Sequence, residues 1–198
     1  MSVARLGDAV PRRGNRLTRA LARWALAALG WRLDMPLPNA PKFVIVVAPH
    51  TSAWDFFIGL FVAIALGMRA SWLGKHGLFR WPLGGLMRWM GGIPVKREAS
   101  HGVVDTMVEM FRERSALVLA LAPEGTRSKV REWKTGFYHI AHGAGVPIVP
   151  CYLDYARKVI GSGAAMQPTG DVAREVAALQ AFYSGIPGKH PKPVDPCR

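Results

Sequence analysis

His50 and Asp55 are the residues whose types and spacing best suit acid–base chemistry. They lie in the sequence Pro-His-Thr-Ser-Ala-Trp-Asp at residues 49–55, where a β-branched run ends and an apolar helical stretch begins. Helical side chains lean toward the helix N-terminus, so a carboxylate in the first turn can reach back to His50. A carboxylate on one imidazole nitrogen fixes the tautomer and leaves the other nitrogen free to accept a proton. The pair therefore predicts a general base for a substrate hydroxyl, with Asp55 orienting His50.

The same spacing admits other interpretations. Ser52 and Asp55 also match a capping box, in which Asp55 only closes the start of the helix. A His–Asp pair could equally activate water, which would make the protein a thioester or ester hydrolase. A serine hydrolase is disfavoured because the chain contains no Gly-x-Ser-x-Gly sequence. One His and one Asp are too few ligands for a metal ion, so no metal site is expected.

Two glycine-containing segments carry residue types that bind anions. At residues 122–128, Gly125 permits a sharp turn and Arg127 suits a bidentate grip on phosphate. Glu124 could hold that arginine or bind a substrate hydroxyl. At residues 91–97, the sequence Gly-Gly-Ile-Pro-Val-Lys-Arg places two cations on a second loop. A turn held by a Glu–Arg pair and a solvated basic loop are the alternatives, and the residues alone leave them open.

The elements that must position these residues alternate between strands and helices. Strand-like apolar runs lie at residues 43–48, 71–73, 93–95, 116–122 and 147–155, and helical stretches at 56–68, 103–114, 137–144 and 172–182. Continuous apolar runs are typical of strands covered on both faces. The alternation predicts an α/β fold, a single layered domain with a mixed, largely parallel sheet flanked by helices.

The N-terminal segment is basic and is expected to hold an amphipathic helix. Its apolar face is predicted to consist of Leu17, Leu21, Trp24, Ala28 and Trp31, and its basic face of Arg16, Arg19 and Arg23. Such a helix suits a membrane interface, although it could instead dock on its own domain. We expect three regions: this segment at residues 1–34, a main domain at 35–185 and an extended, Pro-rich tail at 186–198.

Composition narrows the partners without choosing among them. The 198 residues suit one domain, and 26 Lys and Arg against 13 Asp and Glu give a net charge of +13. Such a surface attracts nucleic acid, anionic lipids, acidic carrier proteins or phosphorylated cofactors. No run of roughly 20 apolar residues occurs in the sequence, so a membrane span is not expected, and neither is a secretory signal. Cys151 and Cys197 have no metal-type spacing; a buried Cys151 and a reduced, cytoplasmic setting are expected.

Four motifs in order resemble the lysophospholipid acyltransferase family, which includes 1-acylglycerol-3-phosphate and glycerol-3-phosphate acyltransferases. The family pattern is His-x4-Asp, Gly-Ile-x-x-x-Arg, Pro-Glu-Gly-Thr-Arg and Val-Pro-Ile-x-Pro. Here these motifs lie at residues 50–55, 92–97, 123–127 and 146–150, and the resemblance spans about residues 43–155. It implies a glycerol-3-phosphate acyltransferase-like fold with an acyltransferase domain at residues 35–185.

The resemblance also implies a reaction. His50, polarised by Asp55, would deprotonate an acceptor hydroxyl that attacks an acyl thioester. The acceptor's phosphate would be bound by residues of the second and third motifs and by one lysine on the acceptor side: Arg97, Glu124, Gly125, Thr126, Arg127 and Lys75. No cofactor is implied beyond acyl-CoA or acyl carrier protein as co-substrate.

The expected partners are that donor, a lysolipid acceptor and an anionic membrane surface, at the cytoplasmic face of the inner membrane. Nucleic acid is not expected as a partner, although a non-catalytic basic module that binds membrane or nucleic acid is the alternative. The family often has Asn before the motif histidine, where this chain has Pro49. That departure and the short chain leave the acceptor open between 1-acylglycerol-3-phosphate and another lysolipid such as lyso-ornithine lipid.

Overall fold

The computed structural model describes residues 6–95, 100–125 and 133–190. Its helices are α1 (Arg16–Ala28), α2 (Trp54–Leu66), α3 (Gly84–Trp89), α4 (Ser100–Glu113), α5 (Gly136–Ala144) and α6 (Val172–Phe182), with a short 3-10 helix at His76–Phe79. Its strands are β1 (Arg32–Asp34), β2 (Lys42–Val47), β3 (Ala70–Lys75), β4 (Gly92–Val95), β5 (Leu117–Leu121), β6 (Ile148–Asp154) and β7 (Val159–Ser162).

The strands form a seven-stranded sheet in the order β1-β7-β6-β2-β5-β3-β4. β6 and β7 pair antiparallel, and the other neighbouring strands pair parallel. This confirms the prediction of an α/β domain with a mixed, largely parallel sheet. Because β2 lies at the centre of the sheet, the loop that follows it is flanked on both sides by the ends of other strands.

Residues on β2 alternate between two apolar cores, one on each face of the sheet. Phe43 and Ile45 pack into the core beneath α1 and α2. Val44 and Val46 pack into the core beneath α4, α5 and α6. Burial on both faces explains why this strand is a continuous apolar run rather than an alternating one.

Helix α1 packs on α2 with most of the predicted apolar face left exposed. Ala22 and Leu26 are its buried residues, and the Arg23 Nε donates to the backbone oxygen of Ala65 in α2 at 2.9 Å. Exposed apolar side chains on and just after the helix are Leu17, Leu21, Trp24 and Leu29. Trp31, expected on the same face, is instead buried beyond the end of the helix. The interfacial role of α1 stays a prediction.

No helix in the described part of the chain is long and apolar enough to cross a membrane. Cys151 is buried, as expected, and burial raises the pKa of its thiol.

Candidate active site

The carboxyl ends of four neighbouring parallel strands build one edge of the sheet, in the order β6, β2, β5 and β3. Tyr155 follows β6, His50 follows β2, Glu124 follows β5 and Lys75 ends β3. In open α/β sheets, ligands bind at the carboxyl ends of the strands, beside the point where the strand order reverses. The topology therefore brings these polar side chains to the edge where a ligand is expected.

His50 and Asp55 are in contact. The Nδ1 atom of His50 lies 3.2 Å from Asp55 Oδ2, and the side chain of Asp55 is 1% exposed against 22% for His50. The backbone nitrogens of Thr51 and Ser52 each donate to Asp55 Oδ2 at 2.9 Å. Asp55 thus accepts hydrogen bonds from the backbone at the start of α2 and contacts the imidazole as well, so these contacts are compatible with both the capping and the orienting interpretation.

Tyr155 is a site residue that the motif analysis did not identify. Its hydroxyl donates to Asp55 Oδ1 at 2.5 Å, and its ring packs edge-to-face on Trp31 with 5.0 Å between ring centroids. Both carboxylate oxygens of Asp55 therefore accept hydrogen bonds from defined donors. A tyrosine at the end of the last predicted strand, at the edge where ligands are expected, was the available sequence signal.

The environment keeps Asp55 ionised. Burial on its own would raise the pKa of the Asp55 carboxyl, but the donors His50, Tyr155, Ser52 and Thr51 together outweigh it and lower that pKa. Burial and the hydrogen bond to Asp55 raise the pKa of the Tyr155 hydroxyl. The tyrosine is therefore a neutral donor, and the carboxylate is a charged partner for the imidazole of His50.

Glu124 supports the backbone at His50. It is buried at 4% exposure, and its Oε1 accepts from the backbone nitrogen of His50 at 3.3 Å. Gly125 follows it with a φ of +64°, a conformation that favours glycine. A Cβ built at Gly125 would lie 3.1 Å from the Cδ of Lys134, so this side chain passes directly over the turn.

Three of the predicted phosphate ligands are described and three are not. Glu124 and Gly125 lie beside His50 as above, and Lys75 is exposed at the end of β3, with β5 between it and β2. Arg97, Thr126 and Arg127 lie outside the described residues. Lys134 is a further cation that the sequence analysis did not single out.

An apolar cavity of about 760 Å³ reaches the His50–Asp55 pair. Its lining includes Phe56, Gly59, Ala63, Trp72, Met90 and Lys134. Mostly apolar walls with a few polar side chains, His50, Asp55 and Lys134 among them, suit a ligand with a reactive head and a hydrophobic chain. Within the described ranges, no three metal-ligating side chains lie together.

The C-terminal segment at residues 186–190 packs against the loop that carries His50. The backbone nitrogen of His190 donates to Thr51 Oγ1 at 3.3 Å, and that of Tyr155 donates to the backbone oxygen of Pro187 at 3.4 Å. The Nζ of Lys189 lies 5.1 Å from the ring centroid of Trp54. The first part of the predicted Pro-rich tail is therefore in contact with the site.

The family model described as Acyltransferase matches residues 36–154, which include the whole His50 loop, the Glu124 turn and β6. The chain belongs to the acyltransferase family. The matched region begins just before β2 and ends with β6, so it contains the strand ends that form the candidate site of this acyltransferase-family chain.

Three relatives with sequence similarity to this chain are named 1-acyl-sn-glycerol-3-phosphate acyltransferases. The chain is 31% identical over 134 residues to the chloroplastic 1-acyl-sn-glycerol-3-phosphate acyltransferase BAT2 of Brassica napus, a match that covers 64% of this chain and 37% of the relative. It is 29% identical over 142 residues to the 1-acyl-sn-glycerol-3-phosphate acyltransferase of Haemophilus influenzae, covering 66% and 58%. The same-named Escherichia coli protein is 36% identical over 95 residues, covering 44% and 38%.

The fold resembles that of the 1-acyl-sn-glycerophosphate (LPA) acyltransferase PlsC from Thermotoga maritima. The TM-score is 0.58 at 16% identity, with 84% of this acyltransferase-family chain and 75% of that chain covered. The matched segments span 37–58% of the length of the curated relatives above.

Proposed function

We propose that this protein transfers a fatty acyl group from a thioester to the hydroxyl of a lysophospholipid-type acceptor, with 1-acylglycerol-3-phosphate as the first candidate. The observation that carries the proposal is the 3.2 Å contact between His50 Nδ1 and Asp55 Oδ2, two residues that line a mostly apolar cavity. The family membership and the names of the relatives support the same reaction.

His50 acts as the general base in this proposal. Because Nδ1 faces the Asp55 carboxylate, it carries the proton, and Nε2 is left to accept one from the acceptor hydroxyl. The resulting alkoxide attacks the thioester carbonyl, and the tetrahedral intermediate collapses with loss of a thiolate. The imidazolium then returns its proton to that thiolate. Until it does so, the Asp55 carboxylate stabilises the positive charge of the imidazolium.

The cavity is proposed to hold the acyl chain. Its volume of about 760 Å³ lies within the range of small-molecule sites, and its walls along α2 and β3 are apolar. Burial of the chain there would place the thioester carbonyl next to His50.

The acceptor's phosphate is proposed to bind on the β5 and β3 side of His50. Lys75 and Lys134 are exposed cations in the described part of that region, and Gly125 keeps the turn open beside Lys134. We propose Arg97, Thr126 and Arg127 as further phosphate ligands from their motifs. Glu124 is proposed to position the His50 backbone from beneath.

The protein is proposed to act as a peripheral or monotopic protein on the cytoplasmic face of the inner membrane. The exposed apolar side chains of α1 support this, since Trp24 is 72% exposed and Leu17 and Leu21 accompany it on successive turns. No acidic residue occurs between Asp8 and Asp34, so the helix has no charge that anionic headgroups would repel.

The deciding experiment compares the wild type with His50→Ala on acyl-CoA and acyl carrier protein donors. The acceptor panel contains 1-acylglycerol-3-phosphate, lyso-ornithine lipid and other lysolipids. Loss of the base should lower kcat by about 100-fold to 10,000-fold. Acyl transfer that survives the substitution would remove His50 as the base.

Release of free thiol is measured with and without acceptor. Acceptor-dependent release together with an acylated product supports the transferase, whereas equal release without acceptor indicates a hydrolase. Salt-dependent binding to DNA with no acyl transfer to any acceptor would favour a non-catalytic basic module.

A further inference from the structure

A second group of exposed apolar side chains lies far from α1 in sequence, on residues 76–89. We call this segment, the 3-10 helix His76–Phe79 and α3 with the turn between them, the aromatic ridge. Its exposed large apolar residues are Leu78, Trp81, Leu83, Leu86 and Trp89. Trp81 is 93% exposed and Trp89 65%, values that leave both indoles in solvent.

The aromatic ridge is held in place from beneath. Phe79 is buried against Trp72, with 5.9 Å between ring centroids. The Nη1 of Arg88 donates to the backbone oxygen of Phe79 at 3.2 Å, and its guanidinium carbon lies 5.6 Å from the Phe79 ring centroid. Phe79 thus anchors the ridge to the domain, while the five exposed apolar side chains face solvent. Because the segment is packed on one side, the exposure on the other side is not the result of a loosely packed segment.

Positive charge surrounds the ridge. Lys75 and Arg80 are exposed at its start and within it. No Asp or Glu occurs between Asp55 and Glu98, so the ridge carries no negative charge of its own. Exposed tryptophan interleaved with cations is the combination that suits a lipid headgroup layer, where indoles sit at the interface and cations meet phosphate.

The ridge contacts the segment that leads into α1, beside the cavity. The guanidinium of Arg13 lies 4.3 Å from the centroid of the Trp89 ring, and the Arg13 backbone nitrogen donates to the oxygen of Gly67 at 2.9 Å. Arg13 and Thr18 line the cavity from the α1 side, and Trp89 lines it from the ridge side. A surface that contacts both elements would cover that part of the cavity.

We propose that the aromatic ridge is a second docking surface for an anionic lipid bilayer, acting beside α1. The inference goes beyond the proposed reaction and does not depend on it. An acidic carrier protein would match the charge of the ridge, but the bilayer also removes the five apolar side chains from water, which a charge match alone does not. With both elements docked, an acyl chain could pass from the lipid into the cavity between them.

The experiment measures sedimentation of the full chain with vesicles of phosphatidylglycerol and phosphatidylcholine, and with vesicles of phosphatidylcholine alone. The double variant Trp81→Ser/Leu86→Ser should lower the partition coefficient on both kinds of vesicle by roughly tenfold or more. Arg80→Gln should lower it by about fivefold on the anionic vesicles and leave it unchanged on the neutral ones.

Matched controls lie on other helices. Phe182→Ser removes a partly exposed apolar ring from α6, and Arg112→Gln removes one exposed charge from α4. Both should bind vesicles as the wild type does. Thermal unfolding checks the fold of each variant, and Arg80→Gln decides the matter if the double variant fails to fold.

The proposal is overturned if the folded ridge variants bind as the wild type does while Leu21→Ser/Trp24→Ser in α1 abolishes binding. It is also overturned if the wild type binds neither kind of vesicle but binds purified acyl carrier protein, and the double variant Trp81→Ser/Leu86→Ser loses that binding. Loss of vesicle binding in the ridge variants with α1 intact supports it, whatever the outcome of the acyl-transfer assay.

Discussion

The Tyr155 hydroxyl donates a hydrogen bond to Asp55 Oδ1 at 2.5 Å, while His50 Nδ1 lies 3.2 Å from Asp55 Oδ2. The carboxylate is therefore held from both oxygens, by a neutral donor on one side and by the imidazole on the other. Trp31 packs against the far side of the tyrosine ring. The carboxylate that contacts His50 thus also contacts a residue that follows β6, and that residue packs against one that follows α1.

Tyr155→Phe should lower kcat with little change in KM, because Asp55 would lose one of its two restraints and the imidazole would be less well oriented. We expect a decrease of up to about 100-fold, the cost of a small misplacement of a reacting group. The pKa of the Asp55 carboxyl should rise, since a donor that lowers it is gone. Carbon-13 NMR titration of the Asp55 carboxyl measures that change directly.

The matched control is Tyr152→Phe, which removes the same hydroxyl from a residue whose ring packs near Phe182. It should leave both kcat and the Asp55 titration unchanged. Equal effects of the two substitutions would mean that the hydrogen bond to Asp55 does not orient the site.

Asp55 should also make stability depend on pH. A carboxyl whose folded-state pKa lies below its unfolded value stabilises the fold fully above the unfolded value, and loses that contribution as pH falls through the folded value. The reference pKa is 3.8, and that of Asp55 is lowered, so the loss should begin as pH falls below about 3.8. Urea unfolding at a series of pH values should show this loss in the wild type and not in Asp55→Asn.

Asp105→Asn, at an exposed position on α4, serves as the comparison and should retain the wild-type pH dependence. A profile for Asp55→Asn that parallels the wild type below pH 3.8 would contradict the role of Asp55 as the stabilising carboxylate.

Gly59→Leu should shift the preferred donor toward shorter acyl chains. Gly59 lines the cavity on α2, and a Cβ built there meets no atom within 4 Å, so a leucine would project into open space. Competition between acyl-CoA donors of different length measures the shift. Gly102→Leu, on α4 with equally open surroundings and outside this cavity, should leave the preference unchanged.

Features that depend on residues close together in the sequence were predicted better than features that depend on residues far apart. The bounds of α6 agree with the prediction because its caps and its apolar periodicity are local. His50 and Asp55 meet within one turn, so their contact could also be predicted. Strands β1 and β7 were missed because three and four residues at a sheet edge carry too little pattern.

Contacts at the site between residues far apart in the sequence could be predicted only if the order of the strands were known. Tyr155 lies 100 residues from Asp55 and reaches it because β6 pairs with β2. Glu124 lies 74 residues from His50 and reaches its backbone because β5 pairs with β2 on the other side. Apolar runs indicate that strands exist, but not which strands are neighbours, so neither contact could be derived from the pattern.

Gly188→Ala should disturb the site from the C-terminal segment. A Cβ built at Gly188 would lie 2.6 Å from Thr51 Oγ1 and 2.7 Å from Thr51 Cγ2, so either the segment or the His50 loop must shift. The Thr51 backbone nitrogen donates to Asp55, and a shift of this loop would therefore move the carboxylate. We expect a lower kcat, measured with saturating donor and acceptor.

Thr51→Ala should rescue Gly188→Ala, because it removes the two nearest atoms that the new methyl group would meet and leaves only the Thr51 Cβ, at 3.2 Å. The test is a double-mutant cycle on kcat, in which Thr51→Ala alone changes little and the double variant recovers most of the activity. Additive losses instead would show that Gly188 acts through something other than Thr51. A full rescue would mean that residues beyond α6 help to set the position of Asp55, although the acyltransferase family match ends at residue 154.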